Sequence, residues 1–188
     1  TAQKDNREET IIRYEAQYWF AALQAGGLLL EEMDRVEKVE LTDNNATGPI
    51  TLENPGGSPD WQGNVCRCLS TPDDVVKAKF ARVRAFNGSL FDRLNPGEFS
   101  FSYFLETKVK KIGDWGSRIT LTFYWPITGP IEAALKSGES MYSIVNNPKI
   151  RLANEKSFSI LTSLSPELIL PKDNLNIRQK QFLRAGLP

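Results

Sequence analysis

The chain has no histidine, and it has only two cysteines among its 188 residues. Histidine is the commonest general base in enzymes and the commonest metal ligand, and it activates the nucleophile in Ser-His and Cys-His pairs. The sequence therefore lacks all of these sites. Aspartate, glutamate, lysine and tyrosine remain, but they are too common here to indicate a catalytic set. We predict no catalytic residues and a function in binding or assembly.

The two cysteines, Cys66 and Cys68, are separated by one residue. In a strand, residues two apart have Cα atoms roughly 6.5 Å apart, near the upper limit for a disulfide. We therefore expect two unbonded, buried side chains on a strand. A zinc site needs further Cys or His ligands, which the chain does not have, so we predict no metal and no cofactor. The alternative is a redox pair in which Arg67 favours a thiolate.

Long apolar runs are also missing. The most apolar helical stretch, residues 10–33, is interrupted by Arg13 and Glu15, and it falls short of the roughly 18 apolar residues that cross a bilayer. We predict no membrane span in this segment. The first residue is Thr1 rather than Met, which is compatible with a removed signal or anchor, and we expect an extracytoplasmic location.

The formal charge is zero, but it is unevenly distributed. Residues 1–60 carry 12 acidic and 5 basic side chains, whereas residues 61–188 carry 11 and 18. Either one part of the chain neutralises the other, or opposite patches are offered to partners. A nucleic-acid-binding domain is expected to be net basic or to carry a known motif, so we predict no nucleic-acid partner.

The N-terminal pattern indicates a long helix. Asn6 and Glu9 have the spacing of a capping box, and we predict a helix over 7–36, with a kink or break at Gly26-Gly27. The predicted apolar stripe consists of Ile11, Tyr14, Tyr18, Ala22, Leu29, Met33 and Val36.

The sequence that follows mixes strand and helix signals. Residues 39–41 and 50–53 alternate like short edge strands. Thr71 and Pro72 are typical of a helix start, and the spacing of later apolar residues predicts a helix over 72–86. A strand is the alternative, but its alternation breaks between Phe80 and Ala81.

The segment 98–125 predicts a hairpin, because apolar and polar residues alternate on both sides of its turn. Residues that face each other must share a side of the sheet, so the loop has an odd length. A three-residue loop with Gly116 at positive φ fits, and it pairs Val109 with Leu121. Trp115 then lies at the tip, where it either packs onto a neighbouring helix or serves as an anchor for a partner.

After Trp125 the pattern predicts a short helix near 130–138 and three strand-sized runs at 140–145, 148–153 and 156–164. Residues 171–188 predict a helical tail, in which Arg178, Lys180 and Arg184 are suited to docking on an acidic surface.

Together these patterns predict one α+β domain over 1–188. It comprises the long helix 7–36, a sheet-rich body over 37–170 with a helix near 72–86, and the tail 171–188. The long helix packs on a mainly antiparallel sheet of about five to seven strands, with short helices at the ends.

We predict a non-catalytic assembly or protein-interaction module, the soluble part of a larger envelope or cell-surface complex, that binds a protein partner or forms a homo-oligomer. The alternative is a small apolar ligand held between helix and sheet, and an enzyme using carboxylates or the two cysteines ranks third. The predicted partner-binding residues are Asp114, Trp115, Arg178, Lys180 and Arg184. The predicted residues of the alternative ligand site are Tyr14, Tyr18, Trp19, Phe101, Tyr103 and Phe123.

Overall fold

The structure, a computed structural model, describes residues 2–25, 35–42, 49–54, 61–85, 101–114, 116–150 and 152–163. The helices in these ranges are α1 (Ala2–Ala25), α2 (Trp61–Leu69), α3 (Gly129–Lys136) and α4 (Met141–Val145). The strands are β1 (Val36–Thr42), β2 (Ile50–Glu53), β3 (Ala78–Arg84), β4 (Ser102–Ile112), β5 (Gly116–Trp125) and β6 (Asn154–Thr162).

The strands form one antiparallel sheet in the order β2-β1-β3-β4-β5-β6. The predicted α+β architecture is therefore confirmed, with six strands in the described ranges. The short β2 and the longer β6 lie at the two edges. None of the helices in the described ranges is long and apolar enough to cross a lipid bilayer.

Helices cover both faces of the sheet. The inner face packs against α1 and α2 in the larger core, which includes Trp19, Leu105 and Phe123. The outer face carries a smaller core in which Phe80 and Phe104 meet Met141 and Ile144 of α4. On this outer side α3 and α4 lie over β1, β3 and the start of β4. Most of β3 and the start of β4 are thus buried on both sides.

This double burial explains why the predicted helix over 72–86 is wrong. Residues 78–84 form β3, and Phe80 and Ala81, on opposite faces, are both fully buried. A strand covered on both sides has no alternation of apolar and polar residues. The apparent break in register between these two residues was the signature of a two-sided strand.

The predicted helix over 7–36 is wrong at both ends. The helix α1 begins at Ala2, so Asn6 lies inside it, and its carbonyl oxygen accepts a hydrogen bond from Thr10 Oγ1 at 2.8 Å. Val36 is the first residue of β1. The predicted stripe is also rotated, because Tyr14 is 53% exposed. The buried positions of α1 are Ile11, Ile12, Glu15, Ala16, Trp19, Ala22 and Leu23, one continuous helical face.

Three further strand predictions are wrong for the residues that the structure describes. The cysteines lie on helix α2, and the predicted strand at 140–145 is helix α4. Of residues 148–153, those that are described are not in a strand.

Other predicted elements are confirmed. The run 156–164 corresponds to β6, the short helix near 130–138 to α3, and the pieces 39–41 and 50–53 to parts of β1 and β2. The tail 171–188 lies outside the described residues.

The hairpin is confirmed, with its odd loop, but the predicted register is off by two. Ile112 faces Gly116 and Val109 faces Ile119, so the loop comprises residues 113–115. The positive φ of 58° belongs to Gly113, whereas Gly116 is the first residue of β5. The prediction assigned the left-handed position to the wrong glycine of the turn.

Candidate protein-interaction surface

The structure places one of the five predicted partner-binding residues. Asp114 is exposed in the turn between β4 and β5, at one end of the sheet. Trp115, Arg178, Lys180 and Arg184 lie outside the described residues. The role of these four side chains stays a prediction from the sequence.

Five of the six residues of the predicted ligand site do come together between α1 and the sheet. The Tyr103 ring lies 5.2 Å from Phe123 and 6.4 Å from Phe101, and the Trp19 ring lies 6.1 Å from Tyr18. Trp19, Tyr103 and Phe123 are completely buried. The sixth residue, Tyr14, is exposed on the other side of the helix. These rings fill the core with one another, which is the ordinary packing of buried aromatic side chains.

A buried hydrogen-bond chain accompanies these rings. Trp19 Nε1 donates to the Tyr103 hydroxyl at 2.9 Å, and that hydroxyl donates to Glu15 Oε1 at 2.9 Å. Burial raises the pKa of Tyr103, and the neighbouring Glu15 raises it further, so the phenol stays protonated and remains a donor. Glu15 itself is completely buried on α1. The chain fixes the rotation of α1 on the sheet, a role that the sequence pattern did not indicate.

The cysteines are buried and unbonded, as predicted, although on a helix. Cys66 Sγ contacts the carbonyl oxygen of Ala22 at 3.8 Å, where α2 packs against α1. Burial raises the pKa of both thiols to about 12. The protonated thiol is a poor nucleophile, so the environment does not support the redox alternative in which Arg67 stabilises a thiolate.

Two buried charged residues join secondary-structure elements. Glu40, on β1, accepts hydrogen bonds from the backbone N–H groups of Met141 at 2.9 Å and Tyr142 at 3.0 Å, and so holds the first turn of α4. Lys79, on β3, is 1% exposed and binds the Thr71 carbonyl oxygen and Asp73 Oδ1. Burial raises the pKa of Glu40 and lowers that of Lys79. Both buried charges are therefore hydrogen-bonded within the fold and join its elements.

Other ion pairs link the acidic first third of the chain to the basic remainder. Lys156 of β6 pairs with Glu9 of α1, and Arg82 of β3 pairs with Glu37 of β1 at 2.9 Å. In addition, Trp125 Nε1 donates to Glu8 at 3.2 Å. The contacts of Glu8 and Glu9 hold α1 over one end of the sheet, and the Arg82–Glu37 pair joins β3 to β1. They support the interpretation that part of the uneven charge is neutralised inside the fold.

A groove with a volume of about 400 Å³ lies on the outer side of the sheet, away from α1. It runs between β5, the start of β6 and the segment after α4. Its lining includes Tyr124, Asn146, Asn147, Ile150, Leu152 and Glu155. The groove is open, and its aromatic residue is already engaged, since Tyr124 donates to Glu106 at 2.8 Å. Its position does not match the ligand site predicted between helix and sheet.

The most accessible element of the sheet is its edge strand β6. One side of β6 pairs with β5 through nine consecutive residue pairs, and in the described part of the chain no strand pairs with its other side. Asn154, Lys156, Phe158 and Ile160 lie on the inner face and are half-buried, whereas Glu155, Ser157, Ser159 and Leu161 are exposed on the outer face. The alternating sequence predicted this strand. Its edge position depends on the chain order in the sheet, which alternation does not encode.

Comparison with known proteins gives no relative from which a function can be transferred. No protein-family model, curated protein sequence or solved structure gives a significant match to this chain. The functional conclusion therefore depends on the geometry of the surface itself.

Proposed function

We propose that this protein is a non-catalytic assembly module that pairs with a second copy of itself through the outer edge of β6. The observation that carries the proposal is the outer edge of β6, where no strand in the described part of the chain pairs with residues 154–161. An unpaired edge exposes a row of backbone N–H and C=O groups, which are a template for another strand. Strand addition supplies binding through these main-chain groups.

The edge has few of the features that block pairing in other proteins. Natural edge strands are commonly protected by proline, a bulge, short length or an inward-pointing charge, and of these β6 has only the last, Lys156. Between Asn154 and Thr162 there is no proline, and the register with β5 is uninterrupted. Phe158 and Ile160 are only partly covered at the rim of the larger core. A neighbouring strand would remove more of their apolar surface from water.

A second copy is the occupant that the side chains favour. The two-fold register with the largest overlap is centred on Phe158, the midpoint of β6. It places Phe158 beside its own symmetry mate, Glu155 opposite Leu161, and Lys156 opposite Ile160. Like charges directly opposite each other would be destabilising, and this register has none. The same strand meets itself in an isologous contact, as two-fold dimers require.

The expected association is weak. Stable interfaces bury about 1,200–2,000 Å² in total, and a single edge strand supplies only part of that area. We therefore expect a dimer that forms reversibly at high protein concentration. Placement of the module in an envelope or cell-surface complex stays a prediction from the sequence.

The experiment is sedimentation velocity of the 188-residue chain over a range of concentrations. Leu161→Glu places a carboxylate opposite Glu155 of the second copy, so we expect weaker dimerisation. Adding Glu155→Lys to the same chain makes the opposed charges complementary and should restore it. Ser143→Glu, at an exposed position of α4, is the matched control and should dimerise like the parent.

The rescue makes the test specific for one register. A parent chain that stays monomeric throughout the concentration range would overturn self-pairing. A dimer that is equally stable in the parent and in Leu161→Glu would place the interface elsewhere. Thermal unfolding of each variant checks the fold, and because the three substituted side chains are exposed we expect changes within about 0.5 kcal/mol.

A further inference from the structure

The far end of the outer sheet face carries three exposed cations on adjacent strands. Lys108 and Lys110 lie on β4, and Arg118 lies on β5 directly opposite Lys110. The three side chains point to the same face, because Lys108 and Lys110 are two residues apart and opposed residues share a side. The positions of α3 and α4, over β1, β3 and the start of β4, leave these residues exposed. We name Lys108, Lys110 and Arg118 the cationic patch.

This arrangement is unfavourable within the isolated fold. Like charges directly opposite each other on neighbouring strands are destabilising. Elsewhere in the described residues Lys79, Arg82 and Lys156 each bind a carboxylate. The residues of the patch form no ion pair within the described ranges, where Asp114 in the adjacent turn is also unpaired. The carboxylate of Asp73 contacts β4 at Val109, whose backbone N–H donates to it at 2.7 Å, and this carboxylate is paired with Lys79. No carboxylate in the described ranges therefore forms an ion pair with Lys110 or Arg118.

We propose that the cationic patch binds an extended, carboxylate-rich segment of a protein partner. Lys108 and Lys110 are separated by about 6.8 Å along the strand, and opposed residues such as Lys110 and Arg118 are separated by about 5 Å. An extended segment with acidic residues at alternate positions presents its carboxylates at the same spacing of about 6.8 Å. Each carboxylate then meets one strand-borne cation, and Arg118 is able to bind a carboxylate in bidentate fashion.

The surroundings of the patch favour such a segment over other polyanions. The same face carries Glu106 and Glu155 farther along β4 and β6, so the positive surface is short. A nucleic acid would extend across these acids, and among the residues that the structure describes no aromatic side chain lies within the patch to stack on a base. A membrane would require apolar side chains beside the cations, and the outer face of β6 offers Leu161 alone. A short acidic peptide fits within the basic area.

The test is a binding titration of the full chain with a fluorescent peptide of alternating glutamate and serine, followed by anisotropy at low salt. The same peptide with glutamine in place of glutamate is the negative probe. The test variant is Lys108→Gln/Lys110→Gln/Arg118→Gln. The matched control removes three exposed cations elsewhere: Arg84→Gln/Lys136→Gln/Lys149→Gln.

We expect the acidic peptide to bind the parent and the control equally, and the patch variant to bind about 10-fold more weakly, which corresponds to about 1.4 kcal/mol. Binding should weaken as salt is added, since exposed charges are screened. The patch variant should be at least as thermally stable as the parent, because its like-charge repulsion is gone.

Equal loss of binding in both triple variants would mean that net charge alone attracts the peptide, and would overturn the proposal. So would equal binding of the glutamate and glutamine peptides. Phosphatidylserine vesicles and a single-stranded oligonucleotide are tested in parallel, and patch-dependent binding of either one without the peptide would also overturn it. The patch lies on the outer face, where Arg118 faces Leu161 of β6, whereas self-pairing uses the outer backbone edge of that strand. Failure of self-pairing therefore leaves the inference unaffected.

Discussion

Gly116 lies against the backbone carbonyl group of Thr162, so closely that a Cβ atom added to the glycine would overlap the carbonyl oxygen. Gly116 begins β5, and Thr162 ends β6, the strand beside it. The need for glycine here is therefore steric, since the positive φ of the turn belongs to Gly113. This contact sets the separation of β5 and β6 at the end of the sheet that also carries the cationic patch.

We expect Gly116→Ala to cost about 1–3 kcal/mol of unfolding free energy, because the methyl group forces the backbones of β5 and β6 apart. Gly129→Ala is the matched control. A Cβ at Gly129 meets nothing within 4 Å, and the residue begins α3, so its substitution should be neutral or slightly stabilising. Urea unfolding of both variants measures the difference. Equal stabilities would show that β6 moves away at no cost.

The buried hydroxyl of Tyr103 connects Trp19 and Glu15. Tyr103→Phe removes one hydrogen-bond partner from each of these buried groups, so we expect a loss of about 1–3 kcal/mol of unfolding free energy. Tyr14→Phe, on the exposed side of α1, should change it by less than about 0.5 kcal/mol. Chemical denaturation compares the two. A neutral Tyr103→Phe would mean that water or rearrangement replaces the hydroxyl.

The pair between Lys156 and Glu9 predicts a pH dependence. The hydrogen bond from Lys156 holds the pKa of Glu9 below its ordinary value. An acid whose pKa is lowered by folding stabilises the folded state above its unfolded pKa, and this stabilisation is lost as the pH falls through the folded pKa. Lys156→Gln should therefore flatten the decline in stability between about pH 5 and pH 3.

Lys136→Gln is the control for this measurement. It removes an exposed cation of α3, on the opposite side of the sheet from Glu9. Unfolding free energies at low salt are compared at each pH. Parallel pH curves for the parent and Lys156→Gln would contradict the prediction.

The cysteines should be unreactive in the folded protein. Because burial raises the pKa of Cys66 and Cys68 to about 12, neither thiol is ionised to a useful extent near pH 8. Iodoacetamide should modify them only when the chain unfolds, so denaturant should accelerate labelling of both sites together. Rapid modification of either one under native conditions would restore the redox alternative. The Cys66→Ala/Cys68→Ala variant is expected to fold and to retain association.

The two hairpin tryptophans give contrasting predictions. Trp125 is 4% exposed on the inner face, and Trp125→Ala should cost about 3–5 kcal/mol of unfolding free energy. Trp115→Ala should change stability by less than about 0.5 kcal/mol while weakening attachment to a partner, as expected for an exposed anchor. Unfolding curves of both variants measure the two losses of unfolding free energy. A similar loss for Trp115→Ala would mean that this residue packs against its own fold.

The sequence determined the elements whose local pattern matches their final environment. The alternation over 98–125 predicted the β4–β5 hairpin and its odd loop, since directly opposed residues must share a face. Residues 156–164 alternated because β6 is covered unevenly on its two sides. Proline near the start and glycine near the end located α3 for reasons that act within a few residues. The fold class followed from the sum of these local signals.

Tertiary structure alone decided the features that depend on what covers each surface. Residues 78–84 became a strand because helices bury both of its faces, which removes the alternation by which strands are recognised. Glu15 and Glu40 could be buried because distant segments supply their hydrogen-bond partners. The order of the strands, in turn, left β6 at the edge and brought Lys110 opposite Arg118, and pairing between strands is a long-range choice that no local pattern contains.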